Sequence, residues 1–162
     1  MKAAYLLIGG NIGDRLGFIA AAKEKMKQKG IVLIRQSAIY ETAAWGITDQ
    51  PSFLNQVLEI VTSLNPEELL SELLSIEQEL GRIRAEKNGA RTIDIDILYF
   101  ERQLINTPGL SIPHDRISIR RFVLVPLSEL IPDFIDPKTN KSIVEMLNDC
   151  PDTLEVAVYE KN

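Results

Sequence analysis

Apolar positions along the chain fall into short runs and two clear helical stripes. Ala3 to Ile8 is a continuous apolar run ended by Gly9-Gly10, which predicts a buried strand. Asn11 then offers an N-cap, and Leu16, Ile19, Ala20 and Met26 recur at helical spacing until Gly30 stops the segment. Ile31 to Tyr40, rich in Val and Ile, predicts a second strand, and Phe53 to Thr62 a third. Asn65-Pro66-Glu67-Glu68 is a strong helix start, with a cap, proline at the first position and glutamate three after the cap. Leu69, Leu70, Leu73, Leu74, Ile76 and Leu80 form that helix's apolar face, and Gly81 ends it. Ile93 to Phe100 reads as a strand, turned at Glu101-Arg102 into a partner strand at Gln103 to Asn106. Pro108, Gly109, Pro113 and His114 mark a long loop reaching about Arg121. Phe122 to Leu130 predicts a short helix containing Pro126, Ile143 to Leu147 a further helical turn, and Leu154 to Tyr159 a weak last strand.

The order strand, helix, strand, strand, helix, strand, with additions, predicts an antiparallel or mixed sheet with helices on one face. That is a ferredoxin-like α+β sandwich. At 162 residues, with no repeat or linker, the chain reads as one domain over 1–162. It is 45% hydrophobic and 25% charged, which excludes disordered and low-complexity classes. No apolar run is long enough to span a membrane, and the N-terminal apolar stretch is too short for a signal peptide. A single cysteine, Cys150, permits neither a disulfide framework nor a structural zinc site and points to the cytoplasm. A net charge of −5 argues against a general nucleic-acid binder.

The most informative segment is Gly89-Ala90-Arg91-Thr92-Ile93-Asp94-Ile95-Asp96-Ile97-Leu98. Alternation along a strand turns Ile93, Ile95 and Ile97 to the core and Asp94 and Asp96 together to the other face. Their Cα atoms stand about 7 Å apart at the usual strand rise. Two carboxylates so placed repel unless a cation lies between them, and oxygen ligands of this kind suit Mg²⁺ joined by substrate phosphates. A half-buried strand with a solvated acidic face explains the alternation equally well. Arg82, Arg84 and Arg91, all close in sequence, favour the first reading, since guanidiniums neutralise a metal-bound polyphosphate. A surface ion-pair network is the plainer alternative. Glu77 falls on the apolar stripe of its helix and needs a partner, either a following arginine or a ligand.

Gly9-Gly10-Asn11-Ile12-Gly13 matches no glycine-rich phosphate motif and reads as a tight strand-to-helix turn. His114, the only histidine, lacks the further His or Cys ligands that zinc catalysis wants, yet with Arg116, Arg120 and Arg121 it can serve as a second phosphate-contacting set. Trp45, Phe53 and Phe122 flank polar loops and are either core or a stack for a flat heterocycle. Asn55, one alternation from Phe53, is placed to read the edge of such a ring with its amide.

The run Asn88 to Leu98 resembles the signature of the 6-hydroxymethyl-7,8-dihydropterin pyrophosphokinase family. Tyr5 to Asn11, Tyr40-Glu41-Thr42, Trp45-Gly46, Asp49-Gln50-Pro51, Phe53-Leu54-Asn55, Ile76-Glu77 through Gly81-Arg82, Pro113-His114 and Arg120 to Leu127 follow in the family's order. The likeness spans about residues 4 to 130. It implies the ferredoxin-like sandwich and transfer of the β,γ-diphosphate of ATP to the pterin hydroxymethyl oxygen, releasing AMP, with two Mg²⁺ ions. By the same resemblance Asp94 and Asp96 hold both ions. Arg82 and Arg91 hold the transferred diphosphate, and Glu77, Arg84, Ile97, His114 and Arg120 contact ATP. Phe53 and Phe122 stack the pterin, while Asn55, Thr42, Ala43 and Trp45 read its edge. Ala44 and Ala90 stand where the family commonly has proline, and Asn88 where an aromatic is common; Asp115 and Ile119 also depart from frequent choices.

Two long segments, Thr42 to Ser52 and Arg82 to Thr92, are expected to be mobile and to close over ATP. The expected partners are ATP and the reduced hydroxymethylpterin, with no nucleic acid, no membrane and a monomeric state. Two rivals stand beside this reading: another Mg²⁺-dependent phosphotransferase, which would release ADP if it moved one phosphoryl group, and a non-catalytic ferredoxin-like ligand-binding module.

Overall fold

The sheet is organised around two long neighbouring strands, β1 (Lys2–Gly10) and β4 (Phe53–Thr62), paired antiparallel along their whole length. The computed structural model describes residues 1–43, 51–81 and 92–159. β5 (Asp94–Phe100) pairs with the other edge of β1, and β2 (Val32–Gln36) and β3 (Tyr40–Thr42) both pair with the far edge of β4. β8 (Ala157–Val158) extends the sheet beyond β3. All these pairings are antiparallel, so the core order is β5-β1-β4 and then β2 or β3, as in a ferredoxin-like α+β sandwich.

α1 (Arg15–Gln28) and α2 (Pro66–Glu79) cover one face, burying Ile19, Ala22, Met26, Leu69, Leu73 and Ile76 against Leu6, Ile8, Leu54, Leu58, Ile95 and Ile97. α2 starts as predicted: Asn65 and Glu68 form a reciprocal capping box with Pro66 at the first position, an arrangement worth about 1 kcal/mol. α1 is capped by Asp14, not Asn11. The Asp14 carboxylate accepts from Gly17 N at 3.0 Å, and Asn11 is buried and donates from Nδ2 to Pro51 O at 3.0 Å.

The helices do not stay on one face. α3 (Arg121–Leu130) and α4 (Ile143–Asp149) cover part of the opposite face, packing Val123, Leu124, Leu127, Ile143 and Met146 on Leu7, Val57, Leu98 and Tyr99. The expected strand Ile31 to Tyr40 divides into β2 and β3 because Ser37 enters the ladder with its side chain. Ser37 Oγ accepts from Val57 N at 3.0 Å, and the next amide, Ala38 N, donates to the Glu129 carboxylate at 3.2 Å. The segment after Glu101-Arg102 also differs: β6 (Ile105–Thr107) pairs with β7 (Leu110–Ile112) in a separate two-stranded sheet, not with β5. The loop predicted through Arg121 therefore holds a strand and a short 3-10 turn at Ile117–Ile119. The last strand is confined to two residues of the predicted six.

Candidate active site

The site forms where the second face of the sheet is left open beyond α3. Asp94 stands opposite Gly9 on β1, Gly9 opposite Asn55 on β4, and Asn55 opposite Tyr40 on β3, so one row crosses four strands on one face. Asp96 lies one alternation along, opposite Leu7. Ile93, Ile95 and Ile97 are buried in the core beneath, so the alternation read from sequence holds and puts both carboxylates on the open face. Gly9 is required at the crossing: a Cβ there would collide with the Leu54 carbonyl oxygen and with Oδ1 of Asn55, whose amide lies over the glycine.

Two cavities meet at this row. One is lined by Thr42, Ala43, Phe53, Asn55 and Phe122, together with Asp94, Asp96 and Arg120. The other, of about 680 Å³, is lined by Leu70, Leu74, Glu77, Ile95, Ile97 and His114 and shares Asp94, Asp96 and Arg120 with the first. A cavity of that size is ample for a nucleotide. The first is the narrower, with Phe53 and Phe122 as its aromatic lining. Phe122 lies in the first turn of α3, and the Arg120 guanidinium lies 5.5 Å from the centre of its ring.

Glu77 is buried, and its Oε2 accepts the backbone N–H of Ile95 at 2.7 Å; the arginines expected to follow it lie outside the described residues. β5 is the edge strand of the sheet, so this carboxylate satisfies an outward amide between the two aspartates. His114 is held by its own N–H to Leu98 O at 3.1 Å, and its Nδ1 accepts Arg116 N at 3.2 Å. The neutral ring then carries its proton on Nε2. Burial pushes the imidazole pKa below its usual value, and the neighbouring Arg120 guanidinium pushes the same way.

The structure thus brings together Thr42, Ala43, Phe53, Asn55, Glu77, Asp94, Asp96, Ile97, His114, Arg120 and Phe122 around two adjoining spaces. Trp45, Arg82, Arg84 and Arg91, and with them most of the two segments expected to close, lie outside the described residues. On either side of the undescribed part of the second segment, Thr92 Oγ1 donates to Leu80 O at 3.2 Å. Arg116 of the expected phosphate-contacting set lines the nucleotide-sized cavity, and so do Leu70 and Leu74, which the sequence marked only as apolar-face residues. For the leucines the sequence carries only a helical stripe, and which side of that stripe faces a cavity depends on the packing of α2 against β5. No three His, Cys, Asp or Glu side chains cluster among the described residues, so a cation here would take the Asp94 and Asp96 oxygens and complete its shell from a bound ligand.

The sequence pattern of the 7,8-dihydro-6-hydroxymethylpterin-pyrophosphokinase family matches residues 5–132. The 2-amino-4-hydroxy-6-hydroxymethyldihydropteridine pyrophosphokinase of Bacillus subtilis is 48% identical over 128 residues, covering 78% of this chain and 77% of that protein. The protein of the same name from Synechocystis is 40% identical over 157 residues, 95% of this chain and 80% of the relative. The folic acid synthesis protein fol1 of Pneumocystis carinii is 45% identical over 142 residues, but the chain spans only 19% of its length. The Plasmodium falciparum HPPK-DHPS crystal structure with pteroate shares the fold at a TM-score of 0.73 and 18% identity, covering 91% of this chain and 42% of that one. The open sheet face, its aspartate pair and these matches agree: the chain belongs to the 7,8-dihydro-6-hydroxymethylpterin-pyrophosphokinase family.

Proposed function

We propose a division of labour in which the narrow cavity takes the pterin, the wide one takes ATP, and the reaction occurs at the shared wall of Asp94, Asp96 and Arg120. Membership of the family makes the chain a pyrophosphokinase of folate biosynthesis, transferring a pyrophosphoryl group from ATP to hydroxymethyldihydropterin. The carrying observation is that two cavities of different shape share one pair of carboxylates.

The donor chemistry fits magnesium: paired hard oxygens on one strand face, beside a space for polyphosphate. Mg²⁺, two ions in all, would be held by Asp94 and Asp96 and would supply charge neutralisation at the phosphates. The chain's own groups supply alignment, which is most of what this kind of transfer asks of a protein. Arg120 brings a cation to the shared wall, and His114 offers Nε2–H to a phosphate oxygen. Arg82 and Arg91 are assigned to the transferred diphosphate, Arg84, Glu77 and Ile97 to the rest of ATP. Phe53 and Phe122 hold the pterin ring between them, and Asn55, aided by Thr42, Ala43 and Trp45, reads its edge. The β,γ-diphosphate moves as one unit to the hydroxymethyl oxygen, and AMP leaves. The 162 residues are proposed to act as one domain, as a monomer in the cytoplasm, with no nucleic-acid partner, in keeping with one cysteine and a net charge of −5.

Nucleotide-product analysis with ATP, Mg²⁺ and the reduced hydroxymethylpterin tests this. Stoichiometric AMP and pterin diphosphate are expected; ADP would indicate an ordinary kinase, and no turnover a binding module. Asp94→Ala or Asp96→Ala should lower turnover by roughly 10³-fold or more with the fold intact, as expected when charge stabilisation at the transferring group is lost. Near-normal turnover in either variant at saturating Mg²⁺ would remove the pair from the reaction.

A further inference from the structure

We infer that Arg15, seated on Tyr159 directly after the C-terminal strand, is a positioning residue that sets the pterin-facing wall. Its Nη1 donates to Glu41 Oε2 at 2.9 Å and to the Ser52 carbonyl oxygen at 2.9 Å. Glu41 directly precedes Thr42 and Ala43, and Ser52 directly precedes Phe53, so one guanidinium holds the residue before each half of the wall. Asn11, buried, fixes the preceding carbonyl by donating to Pro51 O at 3.0 Å. The ladder between β3 and β4 ends at Thr42 opposite Phe53, so the two peptides beyond it are set by Asn11, in the connection between β1 and α1, and by Arg15, the first residue of α1. The Arg15 side chain is only 24% exposed, which favours a charge-assisted bond over a solvated ion pair.

The other face of Arg15 rests on Tyr159, with 5.5 Å from the guanidinium carbon to the ring centre. Tyr159 is fixed in turn, its N–H donating to Ile39 O at 2.8 Å next to the pairing of β8 with β3. β8 lies beyond the residues 5–132 that the family pattern covers, so this chain's C-terminal strand joins the substrate wall through Arg15. The inference rests on the assignment of the narrow cavity to the pterin.

The test is calorimetry on the full chain. The reduced hydroxymethylpterin is titrated in saturating Mg²⁺ and a non-hydrolysable ATP analogue, and the analogue is titrated separately. Arg15→Met keeps the stem and removes the donors. It should raise the pterin Kd roughly tenfold and leave the analogue Kd within about twofold, as loss of one charge-assisted bond near one ligand implies. Tyr159→Leu should shift the pterin Kd the same way by about threefold. An unchanged pterin Kd with a lowered melting temperature, or equal weakening of both ligands, overturns the inference. Asn55→Leu is the control for the cavity. If it weakens the pterin and Arg15→Met does not, the clamp alone fails; if neither does, the cavity assignment fails and the clamp with it. Should Arg15→Met not fold, Tyr159→Leu and Glu41→Ala decide by the same criterion.

Discussion

Glu77 and His114 serve the site by different means. The Glu77 carboxylate completes an edge-strand amide between Asp94 and Asp96, so the function of that bond is to accept a hydrogen, which glutamine also does. Glu77→Gln should therefore keep most of the stability. Glu77→Leu should lose about 1–3 kcal/mol in urea unfolding, the usual cost of a buried donor left without its acceptor, and the Ile95 amide should exchange faster. Equal stability of the two variants would show that the bond does not hold the strand. His114 titrates against the fold. Its pKa is lowered, so between that value and about 6.5 the unfolded chain binds the proton and the native chain does not, and stability falls as pH drops through this window. Urea midpoints measured at pH 5 and pH 7 should differ less in His114→Gln than in the parent. The aspartate pair was legible in the sequence because strand alternation has a fixed period. The bond from the Ile95 amide to Glu77 was not, because a backbone N–H leaves no mark in a sequence. Arg15 carried no signal either, since its acceptors lie 26 and 37 positions away.

At the level of elements, the strong signals were local and the errors came from pairing. The capping box of α2, the apolar runs of β1 and β4 and the alternation of β5 are each set within a few residues, and each formed as predicted. The division of Ile31–Tyr40 depends on Ser37 entering the ladder of β4 and on Glu129 from α3 capping Ala38, contacts that local pattern cannot reveal. Glu129 also accepts the Tyr40 hydroxyl at 2.6 Å. Burial and this carboxylate together push the Tyr40 pKa up to about 12, so the phenol remains a donor at neutral pH. The turn at Glu101-Arg102 was found, but the strand after it pairs with β7 and not with β5. Gly9 shows how an element's register makes a site. Gly9→Ala should lower stability by about 1–3 kcal/mol through overpacking against the β4 backbone, and should weaken pterin binding by displacing the Asn55 amide. Unaltered stability together with unaltered pterin affinity would show that the crossing tolerates a side chain and that the amide is not fixed there.

Across the whole molecule, the sheet separates two apolar cores. One lies between the sheet and α1 and α2; the other lies under α3 and α4 and stops short of the site. Sequence pattern pointed to helices on one face because the βαββαβ order accounts for only α1 and α2, and nothing local tells a later helix which face is vacant. The irregularity where β5 passes Tyr5 and Leu6 changes the outcome: Leu98 and Tyr99 both face the second core, which strict alternation forbids. Tyr99 then reaches Asp136, donating its hydroxyl to Oδ2 at 2.5 Å, while Asp136 Oδ1 accepts from Lys138 N and Thr139 N and so shapes the turn leading to α4. Burial and the carboxylate both raise the Tyr99 pKa, so the proton stays on the phenol at any working pH. This bond ties the C-terminal segment to the central sheet at the end away from the pterin wall. Tyr99→Phe keeps the ring and removes only the donor, leaving a buried carboxylate oxygen without its partner. A loss of about 1–3 kcal/mol in urea unfolding is expected, with the pterin and nucleotide-analogue affinities retained, because neither cavity is lined by Tyr99 or Asp136. A variant of unchanged stability would show that the second core holds the C-terminal helices by apolar packing alone. A variant that lost pterin affinity would show that the two ends of this face are coupled through α3.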